Sequence, residues 1–140
     1  MLYFSRPENF NPRFSAVGIY LVHDEKVLFL KYTKKYDQAW TLPSGKVEPE
    51  EDESDAVIRE TLEEVGVKLD KDKLIHLFTA FASYPDADFP WFVYRYDLSE
   101  EPELTLSDEH SDYVWVTPEE ALKLKLIQHE NDCLKKAFNI

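Results

Sequence analysis

Residues 45–67 read GKVEPEEDESDAVIRETLEEVGV, running from Gly45 to Val67. The second half has helical spacing over Ser54 to Val65, and Gly66 is a natural stop. Val57, Ile58, Thr61, Leu62 and Val65 form an apolar side expected to pack on a sheet. Glu60, Glu63 and Glu64 stand at i, i+3 and i+4, so on a helix their side chains share a face and meet. Such like-charge neighbours repel by roughly a few tenths of a kcal/mol per pair even at an exposed surface. Between Glu48 and Glu64 there are nine carboxylates and one base, Arg59. This window carries −8 of the chain's −12 charge. A block of like charge is usually a solvated face or tail, yet this one lies mid-chain within a helical pattern.

The flanks supply a sheet. Phe14 to Val22 and Lys26 to Tyr32 read as strands joined by a tight turn at His23-Asp24-Glu25. Ala39 to Leu42 is a short extended piece closed by Pro43-Ser44-Gly45. Leu74 to Tyr84 and Trp91 to Leu98 are aromatic and β-branched, as strands are, around a turn at Pro85-Asp86-Ala87-Asp88. Tyr113 to Val116 reads as another short strand. Thr117-Pro118-Glu119-Glu120 is a capping box with proline at the first helical position, and a last helix is expected over Glu130 to Phe138. The order β-β-β-α-β-β-β-α-α predicts an α/β (α+β) layered domain, a mixed sheet between helices.

With 140 residues, 44% apolar, 31% charged and only three glycines, the chain is expected to be a single domain over 1–140. Disordered, collagenous and low-complexity classes are excluded. No apolar run approaches the roughly 20 residues of a membrane span. Met1 to Glu8 lacks a basic segment followed by an apolar core, so no export signal is expected. The single cysteine, Cys133, permits no internal disulfide and fits a reducing compartment, so the expected location is cytoplasmic. Sixteen basic against 28 acidic residues disfavours long nucleic acid as a partner.

Clustered carboxylates beside a loop suit a hard divalent cation, and glycine at 45 lets backbone approach such a site closely. A bound cation would in turn let an acidic chain hold a polyphosphate. A lone Glu-x-x-Glu-Glu is far more often a wet helix face than a metal site, so the surrounding spacing carries the weight. Gly45-x5-Glu51-x7-Arg59-Glu60-Thr61-Leu62-Glu63-Glu64-Val65-Gly66-Val67 resembles the Nudix box, Gly-x5-Glu-x7-Arg-Glu-U-x-Glu-Glu-x-Gly-U, where U is a bulky aliphatic. Seven fixed positions match without a gap. Thr61 occupies one U position, Ser44 stands where a second glycine is common, and Glu50 stands where the family often has glycine.

The resemblance implies a Nudix-type α/β/α sandwich. It also implies hydrolysis of a nucleoside diphosphate linked to another moiety, by water attack at phosphorus. The substrate would be a small-molecule nucleotide, such as a nucleoside triphosphate, oxidised or not, ADP-ribose, a nucleotide sugar or a dinucleoside polyphosphate. Carried over by position, Glu60, Glu63 and Glu64 would ligate Mg²⁺ or Mn²⁺, with the Gly45 carbonyl as a further ligand. One of the three glutamates would also serve as base. Arg59 and Glu51 would form an ion pair orienting the loop against the helix. Glu109 is the expected carboxylate outside the box. Lys31 is placed like a phosphate-contacting base, and Glu130 and Asn131 fall near where mutator-type relatives read the base.

The alternative of a catalytically silent nucleotide sensor expects lost box carboxylates, and none is missing. The oligomeric state stays open, a homodimer included. His23, His76, His110 and His129 show no metal-ligand spacing and read as turn, sheet or surface residues. Cys133 reads as a small core residue, and the aromatic residues between Phe78 and Tyr96 read mainly as core, with one or two available to stack a base.

Overall fold

Ala16–His23 is apolar almost without a break and shut from solvent along both faces, the signature of a strand in the middle of a sheet with parallel partners. A computed structural model describes all 140 residues and shows why. The elements are β1 Leu2–Tyr3, β2 Ala16–His23, β3 Lys26–Tyr32, β4 Trp40–Thr41, β5 Ser44–Lys46, α1 Glu53–Val65, β6 Ile75–Ser83, β7 Asp88–Asp97, β8 His110–Val116, α2 Pro118–Ala121 and α3 Glu130–Phe138. The eight strands form one mixed sheet in the order β1-β6-β7-β2-β3-β4, with β5 on β2 and β8 on β3. β2 runs parallel to β7 from Ala16↔Trp91 to Val22↔Asp97. All other pairings named are antiparallel.

β2 and β3 pair only next to their turn, at Val22↔Val27 and His23↔Lys26, and then part. Asp24 and Glu25 adopt the left-handed conformation that a two-residue hairpin turn requires. The edge of β2 left open is taken by β5, through Ala16↔Lys46, Val17↔Gly45 and Gly18↔Ser44. Ser44 and Gly45 are thus strand residues and not the closing turn that Pro43-Ser44-Gly45 suggests. The unpaired edge of β2 needs a hydrogen-bonding partner, a demand that no local pattern reveals. Two further strands start earlier than their aromatic content suggests, β7 at Asp88 and β8 at His110. Pro90 falls in the part of β7 that precedes its pairing with β2, where no β2 carbonyl awaits an N–H.

Alternation along β2 and β3 gives two cores. Val17, Ile19, Leu21, Leu28 and Leu30 meet Ala56, Val57 and Val65 of α1 on one face. Tyr20, Val22, Val27 and Phe29 meet Ala121 and Leu134 of α2 and α3 on the other. This is the α/β/α sandwich.

α1 starts where the Asp52 carboxylate accepts the Asp55 N–H at 2.8 Å, and ends at Gly66, whose φ of 75° is left-handed. Its buried face is Ala56, Val57, Thr61, Glu64 and Val65. Thr61 fits in place of an aliphatic because its hydroxyl donates to the Val57 carbonyl at 2.7 Å. Leu62, expected on that face, is 51% exposed, and Glu64 takes the place beside the sheet instead. No helix is long and apolar enough to cross a membrane.

Candidate active site

The Arg59 guanidinium is shared out among the glutamates of the box. Its Nε and Nη2 donate to the two oxygens of Glu51 at 2.9 and 3.0 Å, a bidentate pair. Nη1 donates to Glu60 at 2.9 Å and reaches Glu63 at 3.5 Å, while Nη2 also donates to the Lys46 carbonyl at 3.0 Å. Glu51 further accepts the Glu48 N–H at 3.0 Å. The loop from Lys46 to Glu51 is thereby pinned to α1. The hydrogen bonds from Arg59, then that from Glu48, hold the Glu51 carboxyl below its ordinary value.

Gly45 lies on the other side of this arrangement. A Cβ at this position would fall 2.1 Å from the Glu60 carboxyl carbon, so any other residue would push the Glu60 carboxyl out of its place beside β5. The Ser44 N–H donates to Glu64 Oε1 at 2.8 Å. Burial raises the Glu64 carboxyl to about 8; this hydrogen bond opposes the rise, and the charges of Glu60, Glu109 and Glu63 add to it. Burial raises Glu60 as well, against the pull of Arg59. The three glutamates do not share one wet face: Glu63 is solvated, Glu60 half-buried and Glu64 buried against the sheet.

Glu109 arrives from 45 residues further along the chain. The segment after β7 covers the end of α1, where Thr105 N–H donates to the Val65 carbonyl at 2.9 Å and Ser107 N–H to the Glu64 carbonyl at 3.1 Å. These contacts satisfy carbonyls that a helix end leaves free. Thr33 then ties the segment to the end of β3, its N–H donating to the Glu109 carbonyl at 2.9 Å and its hydroxyl to the Asp108 carbonyl at 3.2 Å. A carboxylate oxygen of Glu109, one of Glu64 and a ring nitrogen of His110 lie within 4.8 Å of one another. His110 is a sheet residue, the first of β8, and is buried there, which lowers its basicity. Its position next to Glu109 in the chain was the available signal.

Gly45, Glu64 and Glu109 line one wall of a cleft of about 950 Å³. The opposite end is closed by the start of α3. There the Tyr20 hydroxyl donates to Glu130 at 2.6 Å, and burial raises the Glu130 carboxyl to about 8 against that hydrogen bond. Nothing in the sequence marks Tyr20 as its partner, 110 residues away. Phe14, Tyr32, Tyr36, Tyr84, Phe89 and Trp91 also line the cleft, with Lys35 and Lys46. The cleft thus brings together Gly45, Glu64, Glu109 and Glu130. Lys31 and Asn131 are not part of its lining; the Lys31 ammonium lies 6.0 Å from the Trp40 ring centre, and Asn131 is exposed on α3. Cys133 is buried and reaches the cleft floor.

The donor set fits a hard divalent cation. Glu64 and Glu109 line the cleft with Glu60 and Glu63 close behind them, and a cation would relieve the like-charge repulsion that adds to the rise of the Glu64 carboxyl.

The NUDIX domain family model matches residues 12–138. Diphosphoinositol polyphosphate phosphohydrolase 3-alpha of Homo sapiens is 30% identical over 125 residues, covering 84% of this chain and 71% of that protein. The asymmetrical bis(5'-nucleosyl)-tetraphosphatase of Caenorhabditis elegans is 33% identical over 119 residues, covering 79% and 83%. The crystal structure of a C. elegans Ap4A hydrolase binary complex superposes with a TM-score of 0.73 at 27% identity, over 88% of this chain and 93% of that one. Box, sandwich and relatives agree: the chain belongs to the Nudix family and is a hydrolase of pyrophosphate bonds.

Proposed function

We propose that the substrate is a nucleoside polyphosphate, dinucleoside polyphosphates included, with its phosphates at the carboxylate end of the cleft and a base among the aromatic rings. The observation that carries this reading is the composition of the cleft wall: six aromatic side chains and two lysines. A diphosphoinositol polyphosphate is densely anionic and has no aromatic face. It calls for a basic pocket, whereas here Lys35 faces Glu109 at 3.7 Å and Lys46 lies 4.4 Å over the Phe14 ring. A base, in contrast, gains roughly 1–3 kcal/mol from stacking on an aromatic ring.

Glu60, Glu63, Glu64, Glu109 and the Gly45 carbonyl would hold Mg²⁺ or Mn²⁺. Bound there, the cation neutralises the pyrophosphate and makes its phosphorus open to attack. The chain's own part is positional and acid–base. Arg59 fixes Glu60 and Glu51 and thereby the loop; Gly45 leaves the Glu60 carboxyl its place beside β5; a box carboxylate takes the proton of the attacking water. Glu130, backed by Tyr20, offers a buried hydrogen-bonding carboxyl to the base end.

The test is a product-release panel over dinucleoside tetraphosphates, nucleoside triphosphates, ADP-ribose, nucleotide sugars and diphosphoinositol polyphosphates, each with Mg²⁺, Mn²⁺ and chelator. The expected result is best turnover on a nucleotide, abolished by chelator. Best turnover on the inositol compound overturns the substrate class, and full turnover in chelator overturns the metal-supported reading.

A further inference from the structure

His110 is about 95% buried, and neither ring nitrogen has a hydrogen-bond partner. Buried polar groups are paired in the great majority of cases, and leaving one unpaired costs about 1–3 kcal/mol. Two orphaned nitrogens on one ring therefore call for a ligand. The Ser107 hydroxyl, three residues earlier in the same segment, is buried and unpartnered too. The His110 ring packs on Tyr32 with centroids 5.0 Å apart, which fixes its plane. One of its nitrogens shares a 4.8 Å group with the carboxylate oxygens of Glu64 and Glu109.

We propose that His110 is a nitrogen ligand of the cation held by Glu64 and Glu109, and that it biases the site toward Mn²⁺, Co²⁺ or Zn²⁺ over Mg²⁺. This rests on the reading that those carboxylates hold a divalent cation. Imidazole suits transition metals, whereas Mg²⁺ takes oxygen ligands and keeps its waters. A cation about 2.0–2.2 Å from each donor spans donors up to about 4.0–4.4 Å apart, so side-chain shifts of roughly half an ångström close the set.

The experiment is pulsed EPR on the Mn²⁺-loaded full chain, prepared unlabelled and with ¹⁵N-histidine, which needs no variant. The expected result is a ¹⁴N coupling that ¹⁵N-histidine replaces. His110→Gln, with Mn²⁺ still bound, should lose the coupling and reduce the Mn²⁺-over-Mg²⁺ preference in competition binding by about tenfold or more. Bound Mn²⁺ that is weakened by Glu64→Gln but shows no histidine coupling overturns the nitrogen ligand and leaves the carboxylate site standing. Mn²⁺ that binds neither wild type nor Glu64→Gln overturns both.

Discussion

The two ends of the cleft each hold a buried glutamate raised to about 8, for different reasons. Glu64 sits among Glu60, Glu63 and Glu109, so burial and crowding by like charge act together against one backbone N–H. Glu130 has no carboxylate among the causes of its shift; burial alone lifts it, against the Tyr20 hydroxyl. The first environment invites a cation, which would restore the charged form. The second suits a neutral hydrogen-bonding ligand. The same raised carboxyl therefore carries different chemistry according to its neighbours.

The sharpest way to break this contrast is Glu64→Gln. Turnover on the best panel substrate should fall by about 10²–10⁴, as expected when a positioned acid–base or ligand group is lost. In melts, wild type should gain about 2.7 kcal/mol from a hundredfold excess of metal over Kd, and Glu64→Gln less. Glu130→Gln should keep the full metal shift. An equal metal shift in wild type and Glu64→Gln would erase the distinction between the two ends.

Next in size is Arg59→Ala, which removes the guanidinium shared by Glu51, Glu60 and Glu63. Arg59 and Glu51 are 25% and 16% exposed, between the solvated pairs worth under about 1 kcal/mol and the buried ones whose breakage costs about 3–5. A loss of about 2–3 kcal/mol is expected in chelator, and a smaller one with Mg²⁺ present. Melts of Arg59→Ala and Glu51→Gln that match wild type would remove the ion pair from the account.

The pH dependence compares both ends in one measurement. Each carboxyl binds its proton more tightly folded than unfolded, so folding takes up protons between the ordinary 4.5 and about 8. The resulting stability is full below the unfolded value and is lost as pH rises through about 8. Chelated protein should therefore lose on the order of a few kcal/mol between about pH 5 and pH 8.5 from these two groups. Glu64→Gln and Glu130→Gln should each flatten part of that slope in chemical denaturation. Mg²⁺ should flatten only the part that Glu64 contributes.

The smallest effect belongs to Tyr20→Phe, which leaves the Glu130 carboxyl without its donor. A stability loss of about 1–3 kcal/mol is expected at pH 8.5, where the carboxylate needs the hydroxyl, and less at pH 5. An unchanged melt at both values would mean that the cleft already hydrates Glu130.

Much of this was readable in advance where the cause is local. The capping box at Thr117 is closed in both directions, with Glu120 N–H to the Thr117 hydroxyl at 3.2 Å and Thr117 N–H to Glu120 at 2.9 Å. The site is less legible. Helical spacing says that Glu60, Glu63 and Glu64 are neighbours, but it cannot say that Leu62 faces water while Glu64 faces the sheet. That depends on how α1 is rotated against β2 and β5.

The sequence by itself determined a helix over 54–65 with its glycine stop, most of the strands flanking it, and the adjacency of Glu60, Glu63 and Glu64, while the pairing of Arg59 with Glu51 was implied by the resemblance. Short-range periodicity and backbone sterics are written residue by residue, so they survive any packing. Only the tertiary structure decided that β5 completes β2, that the carbonyls at the end of α1 draw Glu109 and His110 to Glu64, and that Tyr20 of β2 meets Glu130 of α3. Those meetings satisfy buried hydrogen-bonding groups, and which groups are buried is settled only when distant segments pack.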